Sequence, residues 1–225
     1  MYRSARLLLV PLCLSSLSLG CGGDEVKYTP RGAPSVPANL PPVPNVPQKP
    51  LKNGDEYTVW GASYSLRSRV HNKDVADKEI KLVGYITKTN LGEAPACAVH
   101  KTGKADGDNC DPPVPAFWVG DTKDAAEKDS IKVMGWASNF ANIYDAVEKY
   151  KKDNAEDHKD VRFDVAIPNP VPNTGAKVRI TGTYGGTYTR HTTGTEANPI
   201  MGVMTLDKLE YLEKPAEPGK LPGMK

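Results

Sequence analysis

The loop at residues 91–115 contains the side chains of this sequence that most readily bind metals or form covalent cross-links. Cys97 and Cys110 can pair as a disulfide, which would close a loop of about 14 residues and stabilise the fold by roughly 3 kcal/mol. The same two thiols, with His100 and an aspartate, also form a candidate zinc site. Of these two arrangements, only the disulfide needs no further partner.

Aspartates in the same loop, at Asp106, Asp108 and Asp111, offer hard oxygen ligands for calcium. Their spacing differs from that of an EF-hand loop, and clustered aspartates commonly form turns on solvated surfaces. We therefore favour the disulfide and expect no resident metal or cofactor, with the zinc and calcium sites kept as alternatives.

No catalytic signature accompanies these residues. The sequence contains no Gly-x-Ser-x-Gly nucleophile elbow, no phosphate-binding loop, no His-Glu-x-x-His motif and no Cys-x-x-Cys redox pair. The histidines lie in predicted loops or charged stretches, at His71, His100, His158 and His191. We therefore predict that the protein is not an enzyme.

Residues 1–20 are predicted to be a signal peptide. Arg3 and Arg6 precede an uncharged apolar stretch from Leu7 to Leu19, which is shorter than the roughly 20 residues of a membrane span. Export would place the two loop cysteines in an oxidising compartment, where a disulfide is their expected state.

The end of this signal, Leu17-Ser18-Leu19-Gly20-Cys21, resembles the lipobox of bacterial lipoproteins, although Ser18 stands where that family usually has leucine. The resemblance implies that Cys21 becomes the first mature residue and carries two or three acyl chains. Each buried methylene contributes about 0.8 kcal/mol, so several chains anchor a protein stably. Because Gly22 replaces the aspartate that retains enteric lipoproteins at the inner membrane, the resemblance implies a lipid-anchored protein of the cell envelope, at the outer membrane.

Composition divides the rest of the chain into three parts. Residues 21–54 form a linker with eight prolines between Pro30 and Pro50. Such a stretch favours extended backbone and reaches roughly 60 Å over about 20 residues. Residues 55–213 are long enough for one domain with a core, whereas residues 214–225 are polar and proline-broken and predict a disordered tail.

The charge balance bears on the class of partner. The whole chain has 29 basic and 27 acidic residues, and the loss of Arg3 and Arg6 with the signal peptide leaves residues 21–225 without net charge. A general nucleic-acid-binding protein would carry a clear basic excess. Nucleic acid is therefore not the expected partner.

Alternating apolar and polar residues predict a mainly β domain. Strands are expected at residues 57–64, 80–87, 116–121, 131–136, 177–184 and 202–212. One segment breaks this alternation, because apolar residues recur at helical spacing behind an N-cap at Ser138 or Asn139. The apolar positions of this predicted amphipathic helix are Phe140, Ile143, Tyr144 and Val147.

From Lys78 onward the order is strand, long loop, strand, strand, helix, strand, strand, with Gly84, Gly135 and Gly182 inside strands, where glycine often marks a bulge or sharp bend. This order resembles the OB-fold, and locally its anticodon-binding type, over about residues 78–213. The predicted fold is therefore mainly β: an OB-like Greek-key β-barrel with one helix between the third and fourth barrel strands and an extra N-terminal strand. Another antiparallel sandwich with one helix is the alternative.

An OB-fold implies a ligand face between the loop that joins the first two barrel strands and the loop that joins the last two. The first loop has His100, Lys101 and Lys104, and the second has Arg190 and His191. The intervening strands bear aromatic rings that could stack on bases or sugars. These rings belong to Tyr85, Trp118, Tyr184 and Tyr188.

Together these features predict a non-enzymatic cell-envelope lipoprotein whose OB-like domain binds a protein, a glycan or another envelope ligand. Its partners would be the membrane, through the lipid, and an envelope protein or glycan. Two alternatives stay open: a domain that binds single-stranded nucleic acid outside the cytoplasm, and a metal-binding protein that uses the loop from Cys97 to Asp111.

Replacing Cys21 with serine tests the predicted anchor. Because a serine cannot form the thioether to the lipid, Cys21→Ser should lose the acyl mass in intact mass spectrometry. Cys13→Ser, a change inside the predicted signal peptide, is the matched control and should leave the acyl mass unchanged. A wild-type chain from bacterial membranes that carries no acyl mass would contradict the lipobox assignment.

Overall fold

Strands and helices follow one another from Lys52 to Glu213 in the computed structural model of the protein, which describes residues 49–99, 109–153, 158–190, 195–197 and 199–224. The strands are β1 (Lys52–Asn53), β2 (Glu56–Tyr57), β3 (Lys78–Thr89), β4 (Phe117–Gly120), β5 (Ile131–Met134), β6 (His158–Lys159), β7 (Ala166–Ile167), β8 (Lys177–Gly185), β9 (Thr187–Thr189), β10 (Thr195–Ala197) and β11 (Val203–Glu213). The helices are α1 (Val59–Arg67), α2 (Asn72–Val75) and α3 (Phe140–Asp153). Within these ranges, no helix combines the length and the apolar content that a bilayer crossing requires.

Five of the strands close into a barrel. β3 pairs antiparallel with β4, β4 antiparallel with β5, and β5 parallel with β11. β11 then pairs antiparallel with β8, which returns antiparallel to β3. This order, with α3 between the third and fourth barrel strands, is that of an OB-fold. β2 supplies the extra N-terminal strand through the parallel pairing of Tyr57 with Leu82. The predicted fold class is confirmed.

Apolar residues at alternate positions of each strand fill the barrel, as period-two geometry requires. Fully buried examples are Leu82, Ile86, Val119, Val133, Ile180 and Leu206. At Gly182 the backbones of β8 and β11 pass so closely that a β-carbon would collide with the Thr205 carbonyl oxygen. Gly135 has a φ of +79° and follows the end of β5. Gly182 is therefore required because the space excludes a side chain, and Gly135 because its positive φ disfavours other residues.

The predicted amphipathic helix is confirmed as α3. Phe140 and Ile143 are fully buried against the barrel. The Asn139 side chain accepts a hydrogen bond from the Asn142 N–H at 2.8 Å, as an N-cap residue does. The apolar face therefore covers one end of the core, and the cap fixes where the helix begins.

The prediction of a strand over residues 57–64 is wrong from Val59 onward, because α1 begins there. Thr58 caps this helix with its hydroxyl. The Asp121 carboxylate, at the end of β4, accepts hydrogen bonds from the N–H groups of Val59 and Trp60 at 2.8 and 3.0 Å. These contacts satisfy N–H groups that a helix N-terminus leaves free. Because Asp121 is distant in sequence, the alternation of residues 57–64 gives no sign of this cap.

The C-terminal residues also correct a prediction. Residues 214–224 do not form a disordered tail, since Leu221 is buried in the main core and the Gly219 N–H donates to the Val171 carbonyl oxygen at 2.9 Å. Met224 also packs against this core, and the Asn173 side-chain amide donates to the Glu217 carbonyl oxygen at 3.0 Å. A few such contacts dock a short segment whose overall composition is polar. Residues 1–48, which contain the predicted signal peptide and most of the linker, lie outside the described residues.

Asp160 joins the start of α3 to the segment that follows the helix. Its buried carboxylate accepts hydrogen bonds from the Ser138 N–H and hydroxyl at 2.8 and 2.9 Å, from the Asn142 amide at 2.9 Å, and from the Phe163 N–H at 2.8 Å. Burial alone would raise the pKa of Asp160, but these donors outweigh burial and hold the pKa below its usual value. The folded state therefore stabilises the ionised carboxylate.

Replacing Asp160 with asparagine should lower the free energy of unfolding at pH 7 by about 2–3 kcal/mol, because hydrogen bonds to a charged group are lost. Because the pKa of Asp160 is lower in the folded state, its carboxylate stabilises the fold at pH values above the unfolded-state pKa of about 3.9. This stabilisation is lost as the pH falls through the folded-state pKa. Urea unfolding from pH 7 to pH 2 should therefore show the difference between wild type and Asp160→Asn shrinking below about pH 3.9. Asp164→Asn, at an exposed ion pair with Lys159, is the control and should cost under about 1 kcal/mol. A difference that stays constant with pH would contradict the assignment.

Candidate ligand-binding site

A bulge in β3 shapes the outer surface of the barrel. Ile86 pairs with Val119, and the next pair joins Lys88 to Trp118, so Thr87 is an extra residue. In regular alternation, Lys88 would have the same inward phase as Ile86. The extra residue instead turns Lys88 to the outer surface, beside Trp118.

Trp118 lies between two lysines of the neighbouring strands. Its register partners are Lys88 on β3 and Lys132 on β5. The lysine Nζ atoms lie 4.7 and 5.5 Å from an indole ring centre, respectively, within cation–π distance. Trp118 is only 8% exposed, so the two side chains cover much of the ring. These three residues form the Trp118 row.

A small apolar cluster outside the main core supports this row. It consists of Ala116, Trp118, Met134, Tyr188 and Val203, with Val114 packed against it. Tyr188 is fully buried, and its hydroxyl has no hydrogen-bond partner among the described residues. Burial raises the pKa of Tyr188 and keeps the phenol neutral. Tyr188 therefore holds the tryptophan from beneath and is not a contact for a ligand.

A cavity of about 450 Å³ opens beside the row. It is lined by Trp118, Glu127, Lys128, Ser130, Lys132 and residues 199–202. Ile200, at its wall, is 72% exposed. The Tyr184 hydroxyl donates to the Met201 carbonyl oxygen, which fixes this wall to the barrel. The site therefore combines a fixed apolar wall with a polar and charged opposite side.

Positive charge exceeds negative charge around this cavity. Lys88 Nζ lies 2.9 Å from Glu127 and 3.9 Å from Glu93. The hydrogen bond to Glu127 raises the pKa of Lys88. Lys128 makes no ion pair with any residue that the structure describes. The residues that line the cavity include two lysines, Lys128 and Lys132, and one carboxylate, Glu127, which already pairs with Lys88, and this balance favours an anionic ligand.

The structure separates the residues that the sequence proposes as ligand contacts. Trp118 and Tyr188 share one cluster. Arg190 instead donates to the Leu206 carbonyl oxygen at 2.9 Å and to Asp207 at 3.0 Å, and its guanidinium lies 5.4 Å from the Phe163 ring centre. These contacts give Arg190 a structural role. The remaining candidates, His100, Lys101, Lys104 and His191, lie outside the described residues.

Cys97 and Cys110 form the predicted disulfide, with Cα atoms 6.0 Å apart. Zinc coordination by these two sulfurs as thiolates is therefore excluded in this structure. No cluster of three or more metal-ligating side chains occurs in the described part of the chain, which omits residues 100–108 and so Asp106 and Asp108. The disulfide closes the loop that enters β4.

Sequence reasoning missed Lys88 and Lys132 as site residues. Lys132 alternates with buried Ile131 and Val133, so its outward position carried a usable signal. Its meeting with Trp118 depends on strand register, which the sequence does not state. The outward position of Lys88 depends on the bulge, and simple alternation predicts the opposite orientation.

Comparisons with known proteins add little to this geometry. No protein-family model and no curated protein matches the chain. Among solved structures, one similar chain is assigned as an aspartyl-tRNA synthetase from Leishmania major Friedlin, with 11% sequence identity and a TM-score of 0.32. The match covers 78% of this chain and 23% of that chain. A similarity at this score carries no argument about function.

Two fully buried tyrosines provide a matched test of the support beneath the site. Tyr188→Phe removes a hydroxyl without a described partner, so it should change the free energy of unfolding by less than about 0.5 kcal/mol. Tyr184→Phe removes the hydrogen bond to Met201 and should cost about 1–1.5 kcal/mol. Urea denaturation of both variants measures the contrast. Equal losses would show that the Tyr188 hydroxyl is bonded after all.

Proposed function

We propose that this protein is a non-enzymatic binding protein of the cell envelope, anchored by lipid at Cys21, whose OB-like barrel binds an acidic glycan. The observation that carries the ligand proposal is the Trp118 row, in which two ammonium groups flank one indole ring beside a cavity of about 450 Å³. Carboxylates of a glycan would form charge-assisted hydrogen bonds with the lysines that line this cavity, Lys128 and Lys132.

The other polar groups of the cavity favour a ligand rich in hydroxyl groups. The Glu127 carboxylate and the backbone carbonyls of residues 199–200 can accept hydrogen bonds from sugar hydroxyls. Base stacking needs an open aromatic face, whereas Lys88 and Lys132 cover the Trp118 ring. Single-stranded nucleic acid is therefore the less favoured alternative.

The proposed location rests on the sequence. The apolar segment and the lipobox-like residues that end at Cys21 support export and lipidation, and a disulfide is compatible with an oxidising compartment. Eight prolines between Pro30 and Pro50 would hold the barrel away from the bilayer. Such a position suits contact with envelope polysaccharide.

The proposal can be tested by isothermal titration of the full-length chain in detergent micelles. The probe is a four-sugar oligosaccharide of alternating glucuronate and N-acetylglucosamine. Lys132→Gln should weaken its binding at least about tenfold, because a charge-assisted contact in the site is lost. Lys159→Gln, an exposed lysine on β6, is the matched control and should bind as wild type does.

Three results would count against the proposal. Equal affinity for the neutral chitin tetrasaccharide would show that charge is not used. Tighter binding of a thymidine dodecamer at the same salt concentration would favour the nucleic-acid alternative. Absence of acidic-oligosaccharide binding would remove the glycan assignment.

A further inference from the structure

A second lysine–aromatic cavity lies on the outer surface of the barrel. Tyr85 of β3 is the register partner of Lys177 on β8. Lys177 and Lys123 each place their Nζ atom 5.4 Å from the Tyr85 ring centre. This arrangement repeats that of the Trp118 row, in which one aromatic ring also lies beneath two ammonium groups.

The cavity has a volume of about 480 Å³ and lies between the β1–β2 hairpin and β3. Tyr57 and Tyr85 supply its aromatic surface, and Lys49 and Lys177 line it as cations. Lys52 lies 4.1 Å from the Tyr57 ring centre. Two phenol rings and two lysines therefore line a space large enough for a small sugar chain, and Lys52 adds a third ammonium group beside one of the rings.

The carboxylates of this cavity already have partners. Both oxygens of Asp121 accept backbone N–H groups at the start of α1, and Glu56 pairs with Arg179. Lys49, Lys52 and Lys177, in contrast, form no ion pair with a residue that the structure describes. The uncompensated charge is positive, so an anionic group is the complementary ligand.

The two cavities lie on either side of one short segment of the chain. Asp121 lines the Tyr85 cavity, whereas Glu127 and Lys128 line the Trp118 cavity. The Thr87 hydroxyl lies 3.1 Å from the Ser130 hydroxyl, so this segment packs on the outer face of β3 between the two cavities. A single extended molecule that crosses the segment can therefore reach both cavities.

We propose that the Tyr85 cavity is a second subsite, which together with the Trp118 cavity takes one linear acidic glycan across the segment from Asp121 to Ser130. This inference rests on the proposed function, because the Trp118 cavity is the first subsite. An isolated small anion would need only one cavity. A polymer with regularly repeated carboxylates uses both, and the second contact becomes intramolecular once the first has formed.

The test compares two ligand lengths on the full-length chain in detergent micelles. The probes are four-sugar and ten-sugar oligosaccharides of alternating glucuronate and N-acetylglucosamine, titrated by calorimetry. We expect the longer chain to bind with one-to-one stoichiometry and at least about tenfold tighter than the shorter one. Lys177→Gln should remove most of this advantage, whereas binding of the short chain at the Trp118 cavity should remain. Lys49→Gln, which changes the other lysine that lines the Tyr85 cavity, should have the same effect. Lys159→Gln is the control and should leave both affinities unchanged.

The outcomes separate this inference from the proposed function. If Lys132→Gln weakens both oligosaccharides while length and Lys177→Gln have no effect, the second subsite is wrong and the first stands. If neither oligosaccharide binds wild type, both proposals fall. A different result would be a thymidine dodecamer that binds tighter than the ten-sugar chain and loses affinity in Lys132→Gln and Lys177→Gln. The surface would then be a nucleic-acid-binding surface, and the glycan assignment would be overturned.

Discussion

Closure of the barrel depends on β3, which must bond to β8 along its first part and to β4 along its last part. Tyr85 is the residue at which the partner changes, since it pairs with both strands. Gly84 precedes it, at a point where a β-carbon would lie 2.6 Å from a Val119 methyl group. The bulge at Thr87 follows it. A strand shared by two neighbours must bend strongly, and these two features provide the bend.

The same bend determines the chemistry of the outer surface. Two aromatic residues on the outer side of the barrel have lysines as their register partners. Trp118 is paired with Lys88 and Lys132, and Tyr85 is paired with Lys177. Cross-strand neighbours interact because the pairing register places their side chains together. The lysine–aromatic surface is therefore a consequence of register, and a shift of one residue in β3 would dismantle it.

Features with a local cause could be predicted from the sequence. The strand periodicity, the N-cap and apolar face of α3, and the strand and helix order of the OB-like barrel all follow from short windows of residues. Features with a distant cause could not. α1 begins where Asp121 caps it, and the C-terminal segment packs because Leu221 enters a core built by other elements. Among the site residues, the sequence predicts Trp118 but not Lys88, because the bulge reverses the side of the strand to which Lys88 points.

The cap that Asp121 places on α1 has a mechanical consequence. A pull on the chain at Lys49 would load the short β1–β2 hairpin and the carboxylate–helix contact before it reached the barrel strands. These few hydrogen bonds are weaker in sum than the long β3–β8 ladder, so they would yield first and spare the barrel. Because the hairpin is also a wall of the Tyr85 cavity, tension on the N-terminal segment would widen that cavity while leaving the Trp118 row intact.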